Sequence, residues 1–185
     1  QGGNMSVEAS GRFGRFWNDA KTLDEFIRDY HFNLSGKTER DFEHGFSSAL
    51  FSSRKNFECE VISQTNNDTS VQSVYCFGKR HRPDMALDPN GIAIELKYIT
   101  YDGLKDAIGQ GYLYRLQYRF VFLVLIIGND RKKIYDDLCE RKENDLEEVL
   151  QHLADQMNIF TYIVPSFRLK PGMKKSFSFF EPLNK

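Results

Sequence analysis

The stretch FVFLVLII, Phe120 to Ile127, is a run of eight apolar residues without a polar interruption. A strand with one solvated face alternates apolar and polar side chains, so a strand without that alternation is covered on both sides. The run is far too short to cross a bilayer as a helix, which takes about 20 apolar residues. A chain that contains it must build a layer of structure on each face of a central sheet. With 185 residues, 41% of them hydrophobic and 28% charged, the chain has enough material for one such domain without disulfide staples.

The flanking sequence supplies the layers. LDEFIRDYHF, Leu23 to Phe32, has helical apolar spacing. A second helix is expected from Thr38, where TERD reads as a capping box with Asp41 at the third helical position. Phe42, Phe46, Ala49 and Leu50 then recur at helical intervals. Phe57 to Gln64 and Val71 to Phe77 read as strands on either side of a polar TNND turn at 65–68, and Ile92 to Ile99 as a third. Asp102 to Tyr118 reads as a helix, and Lys132 to Met157 as a charged helical stretch broken near Lys142 to Asn144. Ile159 to Val164 is a further strand, and after the Pro171-Gly172 turn SFSFF fits an edge strand. The order α, β-β-β, α, β, α, β predicts an α/β (α+β mixed) fold, a mixed central β-sheet flanked by helices. A single domain is expected over 1–185, with its core at about 38–164, an N-terminal helical extension at 1–37 and a C-terminal tail at 165–185.

Formal net charge is −1, so the chain carries no global positive field, and any polyanion must be met by local charge. Cys59, Cys76 and Cys139 are odd in number and widely spaced, which makes neither a disulfide framework nor a CxxC site and predicts a reducing cytoplasmic setting. The four histidines show no HxH or HExxH spacing. SGKT at 35–38 has the ending of a phosphate loop, but His31 stands where the glycine is needed, and capping by Thr38 explains it better. Trp17 and the many phenylalanines are expected in the core. DLEEVLQHLADQM from Asp145 is amphipathic, an outer layer or a dimer surface.

Residues 82–97, RPDMALDPNGIAIELK, place charges where an apolar strand should run. Asp88-Pro89-Asn90-Gly91 is a turn signal, with Pro setting φ at the second position and Gly expected to take the positive φ at the end. If it closes a four-residue hairpin loop, Leu87 pairs with Ile92 and Asp84 falls opposite Glu95. Period two then puts Ala93, Glu95, Lys97 and Ile99 on one face. Taken alone, Glu95 and Lys97 are what an ordinary solvated strand face looks like. Two carboxylates facing each other, however, lose stability unless a proton or a cation intervenes. One or two carboxylates completed by waters and a phosphate are what Mg²⁺ prefers.

Pro83-Asp84, ten residues, then Glu95-Leu96-Lys97 resembles the motif of the PD-(D/E)xK nuclease superfamily, the restriction-endonuclease-like fold. The resemblance covers roughly Thr38 to Val164, in which the order of elements is that of the family core. GQGYLY adds Gln110 and Tyr114 in a QxxxY pattern similar to the exonuclease-like branch, and DFEHGFSSAL resembles the family's Phe-Glu segment better at Glu43 than at Glu39. Gly109 and Gly111 beside Gln110 fit either a close approach of substrate or close helix–sheet packing.

The resemblance implies a metal-dependent phosphodiester hydrolase acting on DNA, with Mg²⁺ as cofactor and Mn²⁺ able to substitute. It implies metal ligation by Asp84, Glu95, Glu43 and the Leu96 carbonyl, and a catalytic set of Asp84, Glu95, Lys97 and Gln110. Lys97 would orient or deprotonate the attacking water, and Gln110 would position the water or a phosphate oxygen. Lys79, Arg80, Arg82, Lys105, Tyr114 and Arg115 are the expected DNA-binding residues, with the basic run at 79–82 foremost. Cutting both strands would require a homodimer with two sites, or else the enzyme nicks or trims ends. No membrane partner is expected. The alternative is a catalytically silent module of the same fold that binds DNA or protein.

Overall fold

A computed structural model describes residues 11–32, 38–64, 71–99, 101–142, 144–173 and 176–180. In chain order the elements are α1 (Gly14–Asp29), α2 (Glu39–Ser52), β1 (Val61–Ser63), β2 (Val74–Cys76), β3 (Lys79–His81), β4 (Met85–Leu87) and β5 (Ile92–Tyr98). They continue with α3 (Tyr101–Tyr114), β6 (Phe120–Ile127), α4 (Lys132–Cys139), α5 (Asn144–Met157), β7 (Ile159–Pro165) and β8 (Phe177–Ser178).

The apolar run is strand β6, and every one of its side chains is buried. It lies parallel to β5 on one side and to β7 on the other, as the βαβ connections through α3 and through α4 and α5 allow. The sheet has six strands in the order β1-β4-β5-β6-β7-β8, antiparallel at both ends and parallel in the middle. It is a mixed sheet flanked by helices. One face carries Phe120, Phe122 and Phe160, against which Trp17 of α1 packs, 5.4 Å from Phe120 and 6.1 Å from Phe160 between ring centroids. The opposite face carries Leu123 and Ile159, and α3 lies on it so closely that a Cβ at Gly111 would stand 3.0 Å from Leu123 Cδ1. That contact assigns Gly111 to close helix–sheet packing, whereas Gly109 faces open space.

α1 begins well before the Leu23 expected from periodicity and ends at Asp29. Buried acids interrupt its apolar stripe. The Asp19 carboxylate accepts the Glu58 and Cys59 amides at 2.9 and 2.8 Å, and Asp24 accepts the Tyr162 hydroxyl at 2.6 Å. These are structural anchors between helix and sheet, and they hide the helical pattern from a reading of hydropathy alone. α2 starts as expected, with Thr38 and Asp41 forming the reciprocal capping box.

Further differences concern the antiparallel end. The strand predicted over Phe57 to Gln64 is confined to Val61–Ser63. Val74–Cys76 does not join the main sheet. It pairs with Lys79–His81 in a separate two-stranded ribbon, and β4 takes the place in the sheet. The helix predicted to Tyr118 ends at Tyr114. The break between α4 and α5, the strand β7 and the edge strand β8 fall where expected. The TNND segment at 65–68 and residues 35–37 of SGKT lie outside the described residues. No helix among the described residues is long and apolar enough to cross a membrane.

Candidate active site

The DPNG segment closes the hairpin in the expected register: Leu87 pairs with Ile92, Ala86 with Ala93 and Met85 with Ile94. The strain sits elsewhere than expected. Asp88 takes the positive φ of 56°, and its carboxylate accepts the Glu60 amide at 2.8 Å and meets Arg15 at 2.7 Å. Gly91 does not have a positive φ. It is required for space, since a Cβ there would collide with the Leu87 carbonyl oxygen and the Phe16 ring.

One residue beyond β4, Asp84 turns toward β5, and its Oδ2 accepts the Leu96 amide at 2.8 Å. Leu96 thus meets the site through its N–H. Glu95 is buried at 3% exposure, with Oε1 3.1 Å from Lys97 Nζ and Oε2 accepting the Tyr114 hydroxyl at 3.0 Å. Asp84 Oδ1 keeps no hydrogen bond among the described residues. The first turn of α2 brings Glu39 to the end of β5, where Oε2 accepts the Tyr98 amide at 2.8 Å and Oε1 lies 3.5 Å from Lys97 Nζ. Glu43, one turn further along α2, is half-buried and adds its negative charge to the field at Asp84.

The electrostatics follow from this crowding. Burial raises the Asp84 carboxyl well above its ordinary value, and Glu95 and Glu43 raise it further against the Leu96 amide and Lys97. Burial likewise raises Glu95, although Lys97 and the Tyr114 hydroxyl pull it back. For Lys97, burial works downward, but Glu95, Glu39 and Asp84 together outweigh it and raise its pKa. The surrounding carboxylates thus favour the ammonium form of Lys97.

No group of three or more His, Cys, Asp and Glu side chains is gathered as a metal site among the described residues. A hydrated Mg²⁺ asks for less, one or two carboxylates with waters and phosphate oxygens. Asp84 and Glu95 are the two carboxylates that could hold one, and burial is the main cause of their raised pKa values. Gln110 precedes Tyr114 by one helical turn, on the same side of α3, and its buried Oε1 has no hydrogen-bond partner among the described residues. An orphaned buried acceptor is suited to a bound water.

No family model, no curated protein and no solved structure matches this chain.

The expected nucleic-acid residues divide. Lys79, Arg80 and Lys105 are exposed, the first two on β3. Arg82 is exposed and donates to Gln64 Oε1 at 3.1 Å. Tyr114 is a correction: it is 1% exposed and its hydroxyl belongs to Glu95, so it positions the carboxylate and has no surface to offer DNA. Arg115 is another. Its guanidinium donates to the carbonyls of Met157, at 2.6 Å, and Tyr118, tying the end of α3 to the end of α5. Glu39 carries more of the local hydrogen bonding than the sequence suggested, because its reach to the β5 backbone arises only in the folded chain.

Proposed function

We propose that this chain is a divalent-metal-dependent nuclease of the PD-(D/E)xK type acting on DNA. The observation that carries the reading is the convergence of Asp84, Glu95 and Lys97 on β5, with Lys97 Nζ 3.1 Å from Glu95 and Asp84 held on the Leu96 amide at 2.8 Å. Asp84 and Glu95 would hold Mg²⁺ or Mn²⁺, with Glu43 adding charge nearby. The cation would neutralise charge on the scissile phosphate and make a water more acidic.

The chain's own residues do the rest. Tyr114 fixes the orientation of Glu95, and Glu39 and Glu95 hold the Lys97 ammonium between them. From there Lys97 donates to the attacking water or to a non-bridging phosphate oxygen as negative charge develops. Gln110 Oε1 accepts a hydrogen from the same water and limits its orientation.

The test is hydrolysis of plasmid and end-labelled DNA with Mg²⁺, Mn²⁺ or EDTA. Metal-dependent cleavage is expected, falling by at least about a hundredfold in each of Asp84→Ala, Glu95→Ala and Lys97→Ala. Cleavage that persists in all three purified variants overturns the site. Metal and DNA binding without turnover would instead favour a silent module of the same fold.

A further inference from the structure

The ribbon β2–β3 stands apart from the six-stranded sheet and is joined to Asp84 by Arg82 and Pro83 alone. Its two-residue turn is Phe77-Gly78, with φ of 52° and 75°. A hairpin turn with two positive φ values favours Asn, Asp or Gly at both positions, and a bulky side chain there is strained. Phe77 is nevertheless present and 86% exposed. Tyr75 pairs across the ribbon with Arg80 and is 72% exposed. Folding gains little from either ring, and the turn would be better served by another residue.

The rest of the ribbon is firmly held. Val74 is buried, the His81 ring lies 3.1 Å from the Cys76 carbonyl, and the Tyr118 hydroxyl donates to the Gln72 carbonyl at 2.8 Å. Residues 72–83 carry Lys79, Arg80, His81 and Arg82 and no Asp or Glu. A cationic ribbon with two open aromatic rings, two residues from Asp84 in the chain, matches the chemistry of unpaired bases and their phosphates. A blunt duplex hides its base faces by stacking, whereas a single strand offers them.

We propose that the β2–β3 ribbon is a single-strand-binding finger: Tyr75 and Phe77 stack on unpaired bases, and Lys79 and Arg80 contact the phosphates. For its role in delivering substrate this rests on the proposed nuclease reading, and it makes a single-stranded end, flap or gap the preferred substrate. The binding itself needs no turnover.

The experiment is fluorescence anisotropy with a labelled single-stranded oligonucleotide and a blunt duplex, in EDTA, on the full chain. Wild type is expected to prefer the single strand. Phe77→Gly and Tyr75→Ala should each weaken that binding about tenfold, and Phe77→Trp should retain it. Phe77→Gly suits the turn better than the native residue, so its melting temperature should not fall, and a loss of binding there cannot be a loss of fold. Lys79→Ala or Arg80→Ala should lower the salt dependence of log Kd by roughly one phosphate contact each. Unchanged single-strand affinity in both ring variants overturns the finger, as does a preference for the blunt duplex. Self-association that disappears in Phe77→Gly while affinity stays constant assigns the rings to a second copy and also overturns it. A parallel Mg²⁺ cleavage assay keeps the two readings apart: absent hydrolysis with the ring-dependent preference intact defeats the nuclease and leaves the finger.

Discussion

Tyr114 on α3 donates its hydroxyl to Oε2 of Glu95 on β5 at 3.0 Å, joining the helix on one face of the sheet to a carboxylate buried in that face. The bond stabilises the ionised form of Glu95 against the burial that raises its pKa. Tyr114→Phe removes the donor and keeps the ring. Hydrogen bonds to charged groups contribute about 1.5–3 kcal/mol, so a rate loss of tenfold or more is expected. Because Glu95 should then titrate higher, the acid limb of the pH–rate profile should move to higher pH, with the larger loss at low pH. A profile that superimposes on wild type would remove Tyr114 from the site.

Asp84 should lower the stability of the metal-free protein while serving its function. Its carboxyl is raised by burial and then by Glu95. Unfolded Asp ionises near pH 4, the folded group later. Over that interval the unfolded chain has released a proton that the folded chain still holds. The stability is thus fully present below about pH 4 and lost as pH rises through the folded value. Asp84→Asn, which can still accept the Leu96 amide, should raise the melting temperature in EDTA at neutral pH and flatten its decline with pH. In a protein of this size each kcal/mol regained is worth about 2–4 °C. Mn²⁺ should raise the melting temperature of wild type and not that of the variant. Destabilisation of Asp84→Asn in EDTA would show that the carboxylate is a structural anchor.

Much of this site was legible because it lies on regular structure with a turn between. The DPNG signal placed Asp84 opposite Glu95, and period two placed Lys97 beside Glu95, so two local rules sufficed. The β6 run was equally plain, since only a strand covered on both faces is apolar throughout. Features that depend on tertiary reach were not legible. Asp19 and Asp24 look polar in a hydropathy pattern but are buried on backbone amides and on Tyr162. The β2–β3 turn carries Phe77 where the usual turn residues would have announced it, so Val71 to Phe77 read as one strand of the main sheet. Tyr114 and Arg115 are neighbours in sequence with opposite tasks, and only the packing of α3 against Glu95 and α5 separates them.

The two glycines around Gln110 make a controlled pair. Gly109→Ala meets open space and should gain about 0.5–1 kcal/mol from helix propensity, raising the melting temperature by a few degrees. Gly111→Ala would put its Cβ 3.0 Å from Leu123 Cδ1 and 3.4 Å from Ile159 Cγ2. Overpacking costs about 1–3 kcal/mol and should cancel or exceed the same propensity gain. Thermal melts of both variants check this, and equal stabilisation would mean that α3 lies further from β6 than the structure has it.

Glu39 and Glu43, one turn apart on α2, should separate by what they support. Glu39 accepts the Tyr98 amide at 2.8 Å and lies 3.5 Å from Lys97 Nζ, so Glu39→Ala leaves a backbone donor unpaired and should cost about 1–3 kcal/mol of stability. It also takes one negative partner from Lys97, which should lower that ammonium's pKa and bring down the basic limb of the pH–rate profile. Glu43 acts on Asp84 through charge alone. Glu43→Gln should leave the melting temperature near wild type and weaken Mn²⁺ binding, read by calorimetry or by electron paramagnetic resonance of the free ion. The reverse pattern, metal affinity lost in the Glu39 variant and stability lost in the Glu43 variant, would exchange the two roles and place the cation at the end of β5, beside Tyr98.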